Sequence, residues 1–164
     1  MKEIELTQGK VALVDDADYD WLNQWKWYAA YNRGSKFSAQ RTIGSSANGN
    51  KGCVHMHRLI AGIIDRSMQV DHIDGNPLNN QRINLRVCTN NENQYNKPPR
   101  PNRSSKYKGV WFDKARGKWA CAITHNKQRT PIGRFVSETA AALAYNEAAK
   151  RHHGEFAWLN SVTD

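Results

Sequence analysis

Three prolines within four positions, Pro98, Pro99 and Pro101, interrupt this 164-residue chain well past its middle. A helix cannot run through them, because proline lacks an amide donor and its ring clashes with the preceding turn. Polar and basic residues flank them from Lys97 to Ser105. The chain therefore reads as two small domains, 1–97 and 106–164, joined by an extended linker over 98–105 that can itself touch phosphates.

Charge narrows the partners. Lysine and arginine number 24 against 15 acids, a formal net charge of +9, so a polyanion is the natural ligand. The excess lies mainly in the linker and the C-terminal third. Basicity alone also fits RNA or an anionic membrane. The apolar run 59–64 is far too short to cross a bilayer, and residues 1–5 lack a signal-peptide pattern, which points to an intracellular protein that is neither secreted nor membrane-bound. Cys53, Cys88 and Cys121 are scattered and odd in number, as expected of reduced, mostly buried thiols.

Ahead of the prolines, strands are expected around 4–6, 10–14, 27–31 and 37–42, with a helical turn over 17–24. Trp21, Trp25 and Trp27 read as core packing rather than a base-stacking platform. The Gly-, Ser- and Asn-rich run 44–52 reads as a hairpin connection or a flexible tip. A strand over 53–56 leads into a helix over 57–64, ended by Asp65 and Arg66. Beyond the prolines, three strands (107–112, 118–124, 129–135) precede one helix. Alternation puts Trp119, Cys121 and Ile123 on one face of the middle strand, and Lys118, Ala120, Ala122 and Thr124 on the other. Ser137 is a good N-cap, Glu138 favours the first turn, and Gly154 ends the helix. Its many alanines let it lie close to the sheet, leaving the opposite sheet face open for a partner.

Chemistry concentrates in Val70-Asp71-His72-Ile73-Asp74-Gly75-Asn76-Pro77-Leu78-Asn79-Asn80, followed by Asn84-Leu85-Arg86 and Thr89-Asn90-Asn91-Glu92-Asn93. This reads as a strand ending at Asp71-His72, a loop, a second strand over 85–88, and a helix. Thr89 and Glu92 form a capping box that puts Asn93 on the first turn. Phosphodiester hydrolysis needs a base to activate water and a means to stabilise charge on the phosphate and leaving oxygen. His72 titrates near neutrality and suits the first task. Asp71 and Asn93 offer a carboxylate and an amide oxygen, donors for a hard cation such as Mg²⁺. Neighbours in a regular strand face opposite ways, so Asp71 and His72 share a site only if the strand ends there, which the loop at 75–77 allows. His55 and His57 alternate like a zinc pair, but no third and fourth ligand stands at a sensible spacing, so packing or phosphate contact is the better reading and no structural zinc is expected. His57, Arg58 and Arg86 are candidates to steady the scissile phosphate.

These residues resemble the HNH endonuclease family, in its phage and intron-encoded homing branch. The resemblance runs from His57 to Asn96 through His57-Arg58-Leu59, Val70 to Asn76, Leu78-Asn79-Asn80, Asn84-Leu85-Arg86 and Glu92-Asn93. It implies a ββα-metal (His-Me finger) hairpin, with a core over about 53–97, holding one Mg²⁺ or Mn²⁺ per site. It further implies His72 as general base, Asp71 and Asn93 as metal ligands, and Asn84 as the residue orienting the base loop. Many HNH enzymes carry His where this chain has Asn93, whereas the homing branch uses Asn. The paired cysteines that bind structural zinc in some relatives are missing.

Residues Tyr107 to Asn160 resemble the AP2/ERF DNA-binding domain. The matching motifs are Lys108-Gly109-Val110, Gly117-Lys118-Trp119-Ala120, Ile132-Gly133-Arg134-Phe135, Glu138, Ala141-Ala142, Ala144-Tyr145, Ala148-Ala149, Gly154 and Phe156 to Asn160. The resemblance implies a sheet that enters the major groove with the helix packed behind it. Arg129 is the best-retained contact position, and Arg116 can replace another. Trp111, Asp113, Ala122, Thr124 and Pro131 carry different chemistry, so the plant target sequence does not transfer. The expected DNA contacts are Arg116, Lys118, Lys127, Arg129 and Arg134, mostly to phosphates.

The expected fold class is α+β: a ββα-metal hairpin with N-terminal strands, then a three-stranded antiparallel sheet on one helix. The expected function is metal-dependent HNH endonuclease action on double-stranded DNA, by nicking or double-strand cleavage, directed by the AP2-like domain. No nucleotide cofactor is implied, a monomer is favoured, and a phage or mobile element is the expected setting. The rival is a catalytically inactive DNA-binding regulator. An RNA-binding protein has less support, because the aromatics lack the exposed pattern of an RNA-recognition sheet.

Overall fold

Short alternating apolar stretches make short strands, and the fold is α+β, with several small antiparallel sheets and few helices. The computed structural model describes residues 1–31, 36–44, 52–101 and 103–162. Internal contacts divide the chain into two compact units, Met1–Thr89 and Asn90–Asp164. The sequence places the division at the prolines instead.

In the first unit β1 (Lys2–Glu5) pairs with β2 (Val11–Val14), and α1 (Asp16–Leu22) follows. A second antiparallel sheet joins β3 (Tyr28–Tyr31), β4 (Phe37–Ile43) and β5 (Gly52–His55). The expected hairpin connection at 44–52 falls largely outside the described residues. Next come α2 (Met56–Ile60) and a two-stranded sheet of β6 (Gln69–His72) and β7 (Leu85–Cys88). Helix α2 is shorter than the expected 57–64. Its turn closes at Ala61, and Gly62 takes a left-handed φ of 66°, which glycine adopts without strain. Ile4, Val14, Leu22, Trp27, Met56 and Ile60 form the core. The three tryptophans separate: Trp27 is buried and donates to the Leu22 carbonyl at 2.9 Å, Trp21 packs against the core, and Trp25 is exposed beneath the Arg41 guanidinium.

The second unit opens with α3 (Asn90–Tyr95). Strands β8 (Val110–Asp113), β9 (Lys118–His125) and β10 (Gln128–Phe135) form one sheet with β9 central, and α4 (Glu138–His153) packs on it. The Ser137 hydroxyl caps α4 by accepting from the Ala140 amide at 3.1 Å, and Gly154 ends it at φ 54°. Cys121, Ile123 and Val110 meet Ala141, Tyr145 and Ala148 in the core, with Trp119 beside them. Gly109 lets the β8 entry lie against the Tyr145 ring: it sits at φ 79°, and a Cβ there would run into the ring and the Ala122 carbonyl. Asn126 and Lys127 both take positive φ, the two-residue turn that suits the twist of β9 and β10.

Candidate active site

Strand β6 ends on the two residues singled out by sequence, Asp71 and His72. Their partners on β7 are Arg86 and Leu85. Across that register, Arg86 places Nη2 at 2.7 Å and Nε at 3.0 Å from one carboxylate oxygen of Asp71. Both side chains are largely withdrawn from water. Such a fork holds the carboxylate in one orientation.

The loop from Ile73 to Asn84 is shaped by amide side chains. Asn84 Oδ1 accepts from the Asp74 amide at 3.0 Å, while Asn84 Nδ2 donates to Asp74 Oδ1 at 3.0 Å and to the Asn79 carbonyl at 2.8 Å. The Ile73 amide donates to the Asn84 carbonyl at 2.9 Å. Asp74 also accepts from the Asn76 amide and the Asn79 side chain. Burial works to raise the Asp74 carboxyl, yet its bonds to Asn76, Asn79 and Asn84 together hold it below the ordinary value. Asn80, fully buried, donates from Nδ2 to the Leu78 carbonyl at 3.2 Å, which turns its Oδ1 towards His72 Nε2 at 3.4 Å.

The N-terminal hairpin forms the base of this loop. Leu13 accepts from the Asn80 amide and donates to the Leu78 carbonyl, each at 2.8 Å. Arg82 binds both oxygens of buried Asp18 at 2.7 Å, and its amide reaches Asp15 at 2.8 Å. These contacts span more than sixty residues of chain.

Three imidazoles adjoin: His57 lies 5.1 Å from His72 and 5.4 Å from His55, centroid to centroid. Burial lowers the pKa of His72, opposed by the Asn80 bond and the Asp74 and Asp71 charges, so the neutral, basic ring is favoured. His57 is pushed down to about 3, chiefly by burial, with any charge on His72 or His55 and the Arg58 guanidinium acting in the same direction. It is neutral at physiological pH, so it would meet a phosphate through a hydrogen bond and not as a cation. The Arg58 guanidinium is turned inward onto the carbonyls of Met68, Asp65 and Ile63. No group of three or more His, Cys, Asp and Glu side chains placed to hold a metal occurs among the described residues.

In the second unit, Trp111, Asp113, Lys118, Ala120, Ala122, Thr124, Arg129 and Arg134 share the parity opposite to the residues that pack on α4. Arg116 stands in the β8–β9 turn and Lys127 in the β9–β10 turn. Arg116 and Arg134 both bond Asp113, at 3.3 and 3.1 Å, whereas Arg129 lies over the Trp111 ring, 4.4 Å from its centroid. These bonds to Asp113 thus place one acid among the cations of this face.

A family model described as HNH endonuclease matches residues 39–95. An HNH endonuclease named as uncharacterized from Acanthamoeba polyphaga mimivirus is 29% identical over 160 residues, covering 94% of this chain and 77% of that relative. Protein 3.8 of Escherichia phage T7 is 37% identical over 98 residues, covering 58% of this chain and 78% of its own. The chain belongs to the HNH endonuclease family. The rice (Oryza sativa subsp. japonica) dehydration-responsive element-binding protein 2E is 41% identical over 61 residues, 36% of this chain and 19% of that relative. No solved structure matches.

This HNH endonuclease is a nuclease hydrolase, and DNA is the substrate its family implies. The first unit brings Asp71, His72, Asn84 and Arg86 to one strand pair and its loop. Asn93 lies on α3, in the second unit. Sequence reasoning passed over Asn80 as a partner of His72 and Asp74 as the hub of the loop. The Asp74-x-Asn76 and Asn79-x-Gln81 spacings, each closing a side chain onto an amide two residues on, were the available signal.

Proposed function

We propose that this chain is a divalent-metal-dependent, homing-type DNA endonuclease whose second domain, AP2/ERF-like, directs it to duplex DNA. The observation that carries this reading is the Asn84 clamp. It bonds the Ile73 and Asp74 amides just after His72 and ties them across the loop to the Asn79 carbonyl, as a base that must meet a water in one geometry requires.

His72 is the general base in this reading. The amide oxygen of Asn80 can only accept, so this contact favours a ring protonated on Nε2, the tautomer whose other nitrogen is the basic one. Lowering its pKa keeps the ring in the receptive form at neutral pH. Asp71 and Asn93 would hold the metal. Their carboxylate and amide oxygens are the hard donors that Mg²⁺ or Mn²⁺ prefers, and Arg86 fixes one Asp71 oxygen. A divalent ion bound there supplies charge stabilisation for the scissile phosphate and the departing oxygen. Arg58, Arg86 and His57 remain proposed phosphate neighbours. Arg116, Lys118, Lys127, Arg129 and Arg134 are the proposed DNA contacts of the second domain.

Cleavage of supercoiled plasmid and of pooled phage and bacterial DNA, with Mg²⁺, Mn²⁺ or EDTA, tests the proposal. Wild type is expected to nick or cut only with metal. His72→Ala should lose about 10²- to 10⁴-fold in rate, the usual span for a general base, with duplex binding retained. Asp71→Ala and Asn93→Ala should also fail to cut. Tight duplex binding by wild type with no cleavage under any metal would sink the proposal in favour of a DNA-binding regulator.

A further inference from the structure

The proline-rich segment is fastened to the rest of the second unit at both ends. The Lys97 carbonyl accepts from Lys108 Nζ at 2.7 Å, and Ser104 Oγ accepts from the Phe112 amide, at the edge of β8, at 3.0 Å. Ser105 is buried, with its hydroxyl accepting from the Tyr107 amide at 3.0 Å. Proline rings restrict the backbone between these anchors. A groove of about 930 Å³ opens between this strap and the sheet. Lys97, Arg100 and Arg103 line one side, and Trp111, Thr124 and Arg129 the other. Among the described residues no acid lines it.

Its cations differ from those elsewhere on the sheet. Arg116 and Arg134 are bonded to Asp113, but among the described residues Arg100, Arg103 and Arg129 have no carboxylate partner. Arg129 instead lies over the indole of Trp111, an arrangement that fixes its plane while leaving its charge intact. Unpaired guanidiniums along both walls of an open groove suit a run of phosphates. Lys108 serves a different end, because its ammonium is taken up by the carbonyls of Gln94, Tyr95 and Lys97.

The geometry points to the strap as a DNA-binding element in its own right: Lys97, Arg100 and Arg103, facing Arg129, receive the phosphates of one DNA strand in the groove. The inference rests on the proposed DNA-binding role of the second domain and extends it to a segment outside the AP2-like span.

The test is fluorescence anisotropy of the full chain on a labelled mixed-sequence duplex in EDTA, titrated between about 50 and 200 mM salt. Every phosphate that a variant no longer neutralises should lower the slope of log affinity against log salt by about 0.9. The triple variant K97A/R100A/R103A is therefore expected to show a slope smaller by about 2 to 3, and Arg129→Ala one smaller by about 1, with unchanged circular dichroism. R100K/R103K should keep most of the wild-type slope, since phosphates accept lysine as a point charge. An unchanged slope in the triple variant, while Arg129→Ala or wild-type binding behaves as expected, overturns the strap. Absence of duplex binding by wild type would overturn the DNA-binding reading itself.

Discussion

The two units treat polar groups in opposite ways. Around His72, itself buried, carboxylates and amides are tied to one another and to the backbone: Asp74 to Asn76, Asn79 and Asn84, buried Asp18 to Arg82, buried Asn80 to the Leu78 carbonyl. On the sheet of the second unit, cations stand exposed, while the interior behind them is built largely of alanine and aromatic rings. A reacting group needs a fixed direction and a low-dielectric surround, which a saturated network supplies. A surface that meets a polyanion needs charge in water and adaptable side chains. One chain can thus hold rigid polarity in one place and solvated charge in another, and each invites a different kind of damage.

The second unit is most vulnerable in its interior. Gly109→Ala would drive a Cβ into the Tyr145 ring at a backbone angle that L-residues avoid. Overpacking and left-handed strain together should cost about 3 kcal/mol or more, read as a large fall in its thermal midpoint. In the first unit Asn84→Ala removes a buried carboxamide and strips the Asp74 amide and the Asn79 carbonyl of their partner. That should cost about 1–3 kcal/mol, with cleavage falling while duplex binding holds. A variant that cut DNA normally would show that the network does not position His72.

Lys108 tests the exception, a half-buried cation of the second unit. Burial and the nearby Lys97 charge lower its pKa to about 8, from an ordinary value near 10.5. Folded chains release its proton through pH 8 while unfolded chains keep theirs to about 10.5. Stability should therefore climb as pH rises across that window and lose this dependence below it, measurable as the thermal midpoint against pH. Lys108→Met should flatten the rise. The smallest effect expected is at the surface: Asp113→Ala frees Arg116 and Arg134, and should tighten duplex binding a few-fold at low salt with little change in melting.

Much of the second unit was legible in the residues. Alternation along β9, the Ser137 cap and the Gly154 stop are local signals, and local physics decided them. Asp71 and His72 at a strand end were legible for the same reason. The docking of Leu13, Asp15 and Asp18 onto the loop was not, because pairings across more than sixty residues leave no periodicity to read. Nor does the sequence of a proline run reveal whether it hangs loose or is tied down, which here depends on Lys108 and the Phe112 amide. Tyr95 was equally silent: its ring stacks on His153 at 3.9 Å, and its hydroxyl accepts from the Asn126 amide at 2.9 Å.

That last attachment bears on where this chain can be cut and rejoined. The HNH match runs through Tyr95, yet the stacking partner of Tyr95 and the lysine that caps its carbonyl both lie beyond the prolines. A crossover at the proline run would part α3 from the ring and the lysine that hold it. A chimera that is to keep Asn93 on a well-seated helix should therefore carry His153, Asn126 and Lys108 along with α3.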